Sequence, residues 1–212
     1  MTVGIIDYGA GNLRSVVRAC QAAGLETKIL AEPGEMVAVR ALILPGVGHF
    51  GYGMERLSGG GWVEPLKELV AMGKPLLGIC LGMQLLFESS EESPEQPGLG
   101  LLPGRVVRFR GELKVPHMGW NQLEFTANPW GQLLFQGLAT GTYCYFVHSY
   151  YVEAAQAETV AAWSEYGRPF AAAVAAPGLW GVQFHPEKSS RDGLRILKNF
   201  GELIYGADYS GH

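Results

Sequence analysis

The sequence predicts an α/β protein, with an open, largely parallel central sheet flanked by helices and a strand-rich second half. Three observations carry that expectation. Short apolar, β-branched runs recur between turn signals in the first 80 residues, and amphipathic stretches at helical spacing separate them. From about residue 106 to residue 181, by contrast, strand-like segments follow one another closely. Alternation of strand and helix implies parallel pairing, because a parallel connection has to cross over the sheet.

In chain order, VGII at 3–6, ETKIL at 26–30, ALIL at 41–44 and PLLGI at 75–79 read as strands buried mostly on both faces. The stretch NLRSVVRACQAAG places Leu13, Val16, Val17 and Cys20 on one helical face, and Gly24 suits the stop. Residues 88–104, rich in Glu, Ser, Pro and Gly, read as a surface loop. RVVRFR, the long aromatic run TYCYFVHSYYV, TVAAWS, FAAAV and LWGVQF are the strands of the second half, and a last helix is expected from about Gly193 to Tyr205. There is no internal repeat or Pro-rich linker, so residues 1–212 are expected to form a single domain.

Composition narrows the function. With 48% hydrophobic and 17% charged residues, 212 residues can bury a large core. A net charge of −4 without any Lys/Arg block lacks the footprint of a nucleic-acid binder or of a membrane-surface protein. The N-terminus has neither a basic n-region nor a long apolar run, which points to a cytoplasmic protein. Three cysteines without a CxxC pair, and no HExxH, argue against a disulfide framework and against a metal site.

The chemistry gathers where strands end. Gly78-Ile79-Cys80-Leu81-Gly82 is the cysteine counterpart of the G-x-S-x-G nucleophile elbow, a sharp strand-to-helix turn that lifts a nucleophile off the backbone. A helix N-terminus and a nearby imidazole both favour the thiolate. A buried structural cysteine is the alternative, and it suffices for Cys20 and Cys144. Among five histidines, His212 is terminal, whereas His49, His117 and His148 fit loop or core hydrogen bonding. His185 precedes Pro186 and stands two residues before Glu187; in an extended segment the two side chains share a face, so the carboxylate can orient the imidazole. The PGVG loop (45–48) and the amide of Leu81 offer N–H donors to a developing oxyanion, and the glycines around Val47 would let a peptide flip. Gln84 lies one helical turn past Cys80, within reach of a substrate on the sulfur. GAGNLR is not a dinucleotide fingerprint, so no nucleotide cofactor is expected.

With GICLGMQ, GVQFHPEKSS and PGVG together, the chain resembles the class I glutamine amidotransferases, which have a flavodoxin-like sheet and a Cys-His-Glu triad. IIDYGAGNLRSV, PGVGHFGYGM, KVPHMGWN and YFVHSYY are similar, within that superfamily, to the HisH family, glutaminase subunits of imidazole glycerol phosphate synthase. The resemblance implies Cys80, His185 and Glu187 as catalytic residues, and Val47, Gly48 and Leu81 at the oxyanion hole. It implies Gly46, Gly48, Gln84, Glu92, His148, Ser149 and Tyr150 as glutamine contacts. Trp120, Asn121 and Lys188 are expected at the interface with a (β/α)₈-barrel cyclase in a heterodimer, with neither cofactor nor metal. Departures from the family pattern lie at Ser89–Gly98, Thr126–Gly141 and beyond Gly206. A glutaminase subunit of another synthase, or a silent subunit that kept the fold, are the rival readings.

Overall fold

The computed structural model describes residues 2–206; His212 and the rest of the tail past Gly206 lie outside the described residues. The first strand, β1 (Thr2–Ile6), leads into helix α1 (Leu13–Ala22), capped by the Asn12 side chain on the amide of Ser15 and followed by Gly24 at φ 86°. Next come β2 (Glu26–Leu30), a 3₁₀ turn, β3 (Ala41–Leu44), helices α2 (Phe50–Gly59) and α3 (Val63–Ala71), β4 (Leu76–Ile79) and the short α4 (Leu81–Leu85). The remainder runs β5 (Ser89–Ser90), β6 (Gly104–Arg108), β7 (His117–Phe125), α5 (Pro129–Leu134), β8 (Thr142–His148), β9 (Tyr150–Ala154), β10 (Val160–Glu165), β11 (Pro169–Ala176), β12 (Leu179–Val182) and α6 (Ser190–Gly206).

All twelve strands among the described residues join one sheet, whose main path is β2-β1-β3-β4-β12-β11-β10-β7-β8. From β2 to β12 every pairing is parallel; from β12 through β8 every pairing is antiparallel. The sheet has a core on each face. On one, Ile5, Ile43, Leu77 and Ile79 pack with α1 and α6 through Val16, Cys20, Ile196 and Phe200. On the other, Ile6, Leu42, Leu44 and Leu76 pack with α2, α3 and α4 through Phe50, Leu57, Leu66 and Leu85. The alternation of Leu42, Ile43 and Leu44 between the two cores is the period of two that makes β3 apolar throughout.

Three sequence expectations are corrected. ETKIL is not buried on both faces: β2 is the sheet's edge, paired only with β1, and it leaves Glu26, Lys28 and Ile29 exposed. TYCYFVHSYYV is two strands, because at Ser149 the chain leaves its pairing with β7 and takes new partners, β6 and β11. The last helix begins at Ser190, three residues before the expected start. Two elements carried too weak a local signal to be read in advance, namely β7, whose period is interrupted by Gly119, and the six-residue α5.

What positions the site is the adjacency of β3, β4 and β12. Their carboxyl ends lie side by side and carry, in turn, PGVG, Cys80 and the segment that reaches His185, as expected for ligand sites in an open α/β sheet.

Candidate active site

Cys80 sits at φ 55°, ψ −110°, one of two non-glycine residues with positive φ among those described. Such a conformation is costly for an L-residue and persists only where the surroundings impose it. The flanking glycines show how. A Cβ on Gly78 would stand 2.7 Å from the Gly82 carbonyl oxygen, and one on Gly82 would run into the Leu44 carbonyl. Both elbow glycines are therefore required by close backbone approach, and α4 begins directly after the sulfur.

Cys80 and His185 line a common cavity of about 290 Å³, together with Val47, Gly48, Leu81, Gln84, Glu92, His148, Ser149 and Tyr150. Every residue expected at the oxyanion hole thus lies in the cavity wall, and so does every expected glutamine contact except Gly46. Gly46 sits behind it, where a Cβ would meet the Tyr8 hydroxyl at 2.6 Å. Glu92 uses one carboxylate oxygen to accept from the amide of Phe50, at 2.7 Å, which ties the 88–104 loop to the start of α2. Pro116 and Val147, which lie within KVPHMGWN and YFVHSYY, complete the wall, though neither carries a group that chemistry would single out. A larger open groove of about 720 Å³, lined by Glu91, Arg108, Arg110 and Leu113, meets this cavity only at Tyr150 and holds no nucleophile, so chemistry and not size selects the site.

His185 Nδ1 donates to Glu187 Oε1 at 2.7 Å, with both side chains almost wholly buried. The geometry differs from that expected. Residues 186–188 form a 3₁₀ turn, so the carboxylate comes back to the ring by winding and not by extended alternation. Nε2 is buried and makes no regular hydrogen bond, yet it lies close enough to Cys80 for the sulfur's charge to act on it. Burial opposes a charged imidazole here, but the Cys80 sulfur and the Glu187 carboxylate outweigh it and raise the His185 pKa to about 10. The ring can therefore hold a proton beside a sulfur anion. The triad turn is itself clamped to β8: His185 N donates to the Tyr145 carbonyl, and Ser189 Oγ accepts from Tyr145 N and donates to the His185 carbonyl.

The donor side of the site is closed in this conformation. Leu81 N donates to the Gly46 carbonyl at 3.3 Å instead of facing the cavity, while Gly48 has φ 98° with open space around it.

The residues expected at an interface separate. Trp120 is 51% exposed, with Met118 and Tyr143 beside it on the same sheet face. Its ring meets Tyr145 edge-on at 6.1 Å, and the Lys188 ammonium stands 5.7 Å from that tyrosine ring. Asn121 does not join them: strand alternation turns it inward, where its amide bonds His117 and the Glu165 carbonyl. Cys20 and Cys144 are buried, and burial pushes each thiol up to about 12, in keeping with packing roles.

A thiol, an imidazole and a carboxylate at the carboxyl edge of the parallel half of a mixed sheet are the parts of a cysteine-dependent acyl-transfer site. Residues 4–203 match the family model for glutamine amidotransferase class-I. The chain is 53% identical over 202 residues to the imidazole glycerol phosphate synthase subunit HisH of Desulfitobacterium hafniense (strain DSM 10664 / DCB-2), covering 95% of this chain and 94% of that one. It is 50% identical to the subunit of the same name from Moorella thermoacetica, with 99% of each covered. Among solved structures, a glutamine amidotransferase superposes with a TM-score of 0.74 at 22% identity, over 96% of this chain and 98% of that one. PurLQS from Thermotoga maritima matches with a TM-score of 0.71 at 18% identity, over 96% and 98%. The chain belongs to the class-I glutamine amidotransferase family and, within it, to the HisH subunits of imidazole glycerol phosphate synthase.

Proposed function

We propose that residues 1–212 act as one glutaminase domain, which hydrolyses glutamine and passes the ammonia to a cyclase subunit that makes imidazole glycerol phosphate and aminoimidazole carboxamide ribonucleotide in histidine biosynthesis. The observation that carries the reading is the elbow cysteine sharing a small cavity with a carboxylate-anchored imidazole, in a chain half identical to HisH subunits. The Cys80 sulfur attacks the side-chain carboxamide carbon of glutamine. His185 gives its proton to the departing ammonia, leaving a γ-glutamyl thioester, and then takes a proton from the water that hydrolyses it. Glu187 keeps the ring aimed and stabilises its charge. His185→Ala is expected to lower kcat by about 10³ or more, and Glu187→Gln by less, because an orienting group supplies geometry and not proton transfer. Steady-state glutamate release from the assembled complex checks this; equal and negligible effects would leave only a binding role.

The partner is expected on the face formed by Met118, Trp120, Tyr143 and Lys188. Val147 shares that face of β8 with Tyr143 and Tyr145 and also lines the cavity, so the patch runs to the cavity mouth. An aromatic anchor flanked by a cation is a common hot-spot composition. Trp120→Ala should weaken binding of the cyclase by roughly 30-fold or more, equivalent to about 2 kcal/mol, and Lys188→Ala by less. Titration calorimetry with purified cyclase measures both, and unchanged affinities would move the interface elsewhere. Among the described residues no helix is long and apolar enough to cross a membrane; a cytoplasmic setting fits a subunit of a biosynthetic synthase.

A further inference from the structure

Behind Cys80 runs a chain of hydrogen bonds whose donors and acceptors follow by elimination. The Tyr150 carbonyl can only accept. It takes one bond from His148 Nδ1 at 2.7 Å and another from the Gln84 amide nitrogen at 3.0 Å. Because Gln84 presents Nε2, the Gln183 atom that it meets at 2.9 Å has to be the oxygen. That leaves Gln183 Nε2 facing the Cys80 sulfur at 3.7 Å. The other branch is equally constrained. With its proton on Nδ1, a neutral His148 offers Nε2 as an acceptor, so His117 Nδ1 donates to it at 3.0 Å. His117 Nε2 in turn accepts from Asn121 Nδ2 at 3.2 Å, and the second hydrogen of that amide goes to the Glu165 carbonyl at 2.7 Å. Burial lowers the two imidazoles to about 4 and about 3, which keeps both rings neutral.

We propose that Gln183 belongs to the catalytic machinery, donating its Nε2–H to the Cys80 thiolate and holding that sulfur toward the cavity, with the amide's orientation set by Gln84 and the Tyr150 carbonyl, which the His148–His117–Asn121 branch holds in place. The proposal rests on Cys80 being the nucleophile. Gln183 is wholly buried, so water does not compete for the sulfur from that side. A hydrogen bond to an anion is stronger than one between neutral groups. When the sulfur lone pair becomes the new C–S bond, the charge moves to the carboxamide oxygen, and the donor is left holding a neutral thioester sulfur. Its contribution therefore lies in the resting anion and its aim. A buried glutamine that served packing alone would not present its N–H to the reacting atom.

Two variants of the full chain separate these roles. Gln183→Leu and Gln183→Met both remove the donor without adding a charge and fill the space with an apolar side chain. In each, carbamidomethylation of Cys80 by iodoacetamide at pH 7, followed by peptide mass mapping, should be about tenfold slower than in the parent chain. Thermal unfolding verifies that the variants are folded, and parental rates in two folded variants would overturn the proposal. Long-range ¹H–¹⁵N spectra of the unmodified chain supply a reading that does not depend on any variant: His148 should be a neutral Nδ1–H tautomer, and an Nε2–H tautomer there would leave the Tyr150 carbonyl without its second donor and overturn its positioning by the histidine branch. In the assembled complex, Gln183→Met should lower kcat while KM for glutamine changes less than about threefold. An unmodified complex that failed to hydrolyse glutamine would sink the proposed function, while the alkylation and tautomer results would still decide the role of Gln183.

Discussion

Cys80→Ala is expected to abolish glutamine-dependent synthesis by the complex while the same complex, supplied with ammonium salts, continues to turn over. The first half follows from the absence of a substitute. Cys20 and Cys144 are buried in the core, their thiols pushed up to about 12, and neither lines the cavity. Losing the nucleophile of a triad typically costs about 10⁶ in kcat, which here is indistinguishable from zero. The second half follows from the proposed division of labour, in which the cyclase chemistry belongs to the other subunit and needs only ammonia. The φ of 55° at position 80 brings a secondary expectation: alanine keeps the Cβ strain of cysteine, whereas Cys80→Gly relieves it, so the glycine variant should be at least as stable as the alanine one. Parallel assays with glutamine and with ammonium chloride make the check. Glutamine hydrolysis by the alanine variant would remove Cys80 from the mechanism.

The isolated chain is expected to hydrolyse glutamine about 10²–10³ more slowly than the complex whose cyclase holds its substrate or a product-like ligand. The reason lies in the hydrogen bond from Leu81 N to the Gly46 carbonyl. While that bond persists, the amide beside the nucleophile is turned away from the position where the oxyanion forms. A missing oxyanion donor costs about 3–4 kcal/mol in the barrier. Gly48 at φ 98° has open space around it and Val47 is exposed, so the peptide between them can rotate without displacing the core. A partner raises the rate only insofar as it binds the rotated state more tightly. Glutaminase assays of the chain alone, with empty cyclase and with liganded cyclase, distinguish the cases. Full activity of the chain alone would eliminate gating, and equal rates in the last two would assign the effect to assembly.

The candidate triad of Cys80, His185 and Glu187 was legible in the primary structure because each of its parts is a short-range device. G-x-C-x-G demands glycines at fixed offsets from a strained cysteine, and His-Pro-Glu places carboxylate and imidazole within one turn, whichever winding the backbone takes. The apolar runs of β1, β3 and β4 were equally plain, since a strand buried on both faces needs no partner to reveal itself. Neighbours decided the rest. That ETKIL is an edge depends on what lies beyond β2, and the break at Ser149 depends on β6 and β11 competing with β7 for the same chain. Asn121 turns inward and Trp120 outward only once β7 is paired with β8. Gln183 reads as one more residue of a buried run until β12 is laid beside β4, and that pairing alone brings an amide from position 183 to a sulfur at position 80. Local sterics and period are written into consecutive residues; contacts across a hundred residues exist only after the sheet has chosen its order.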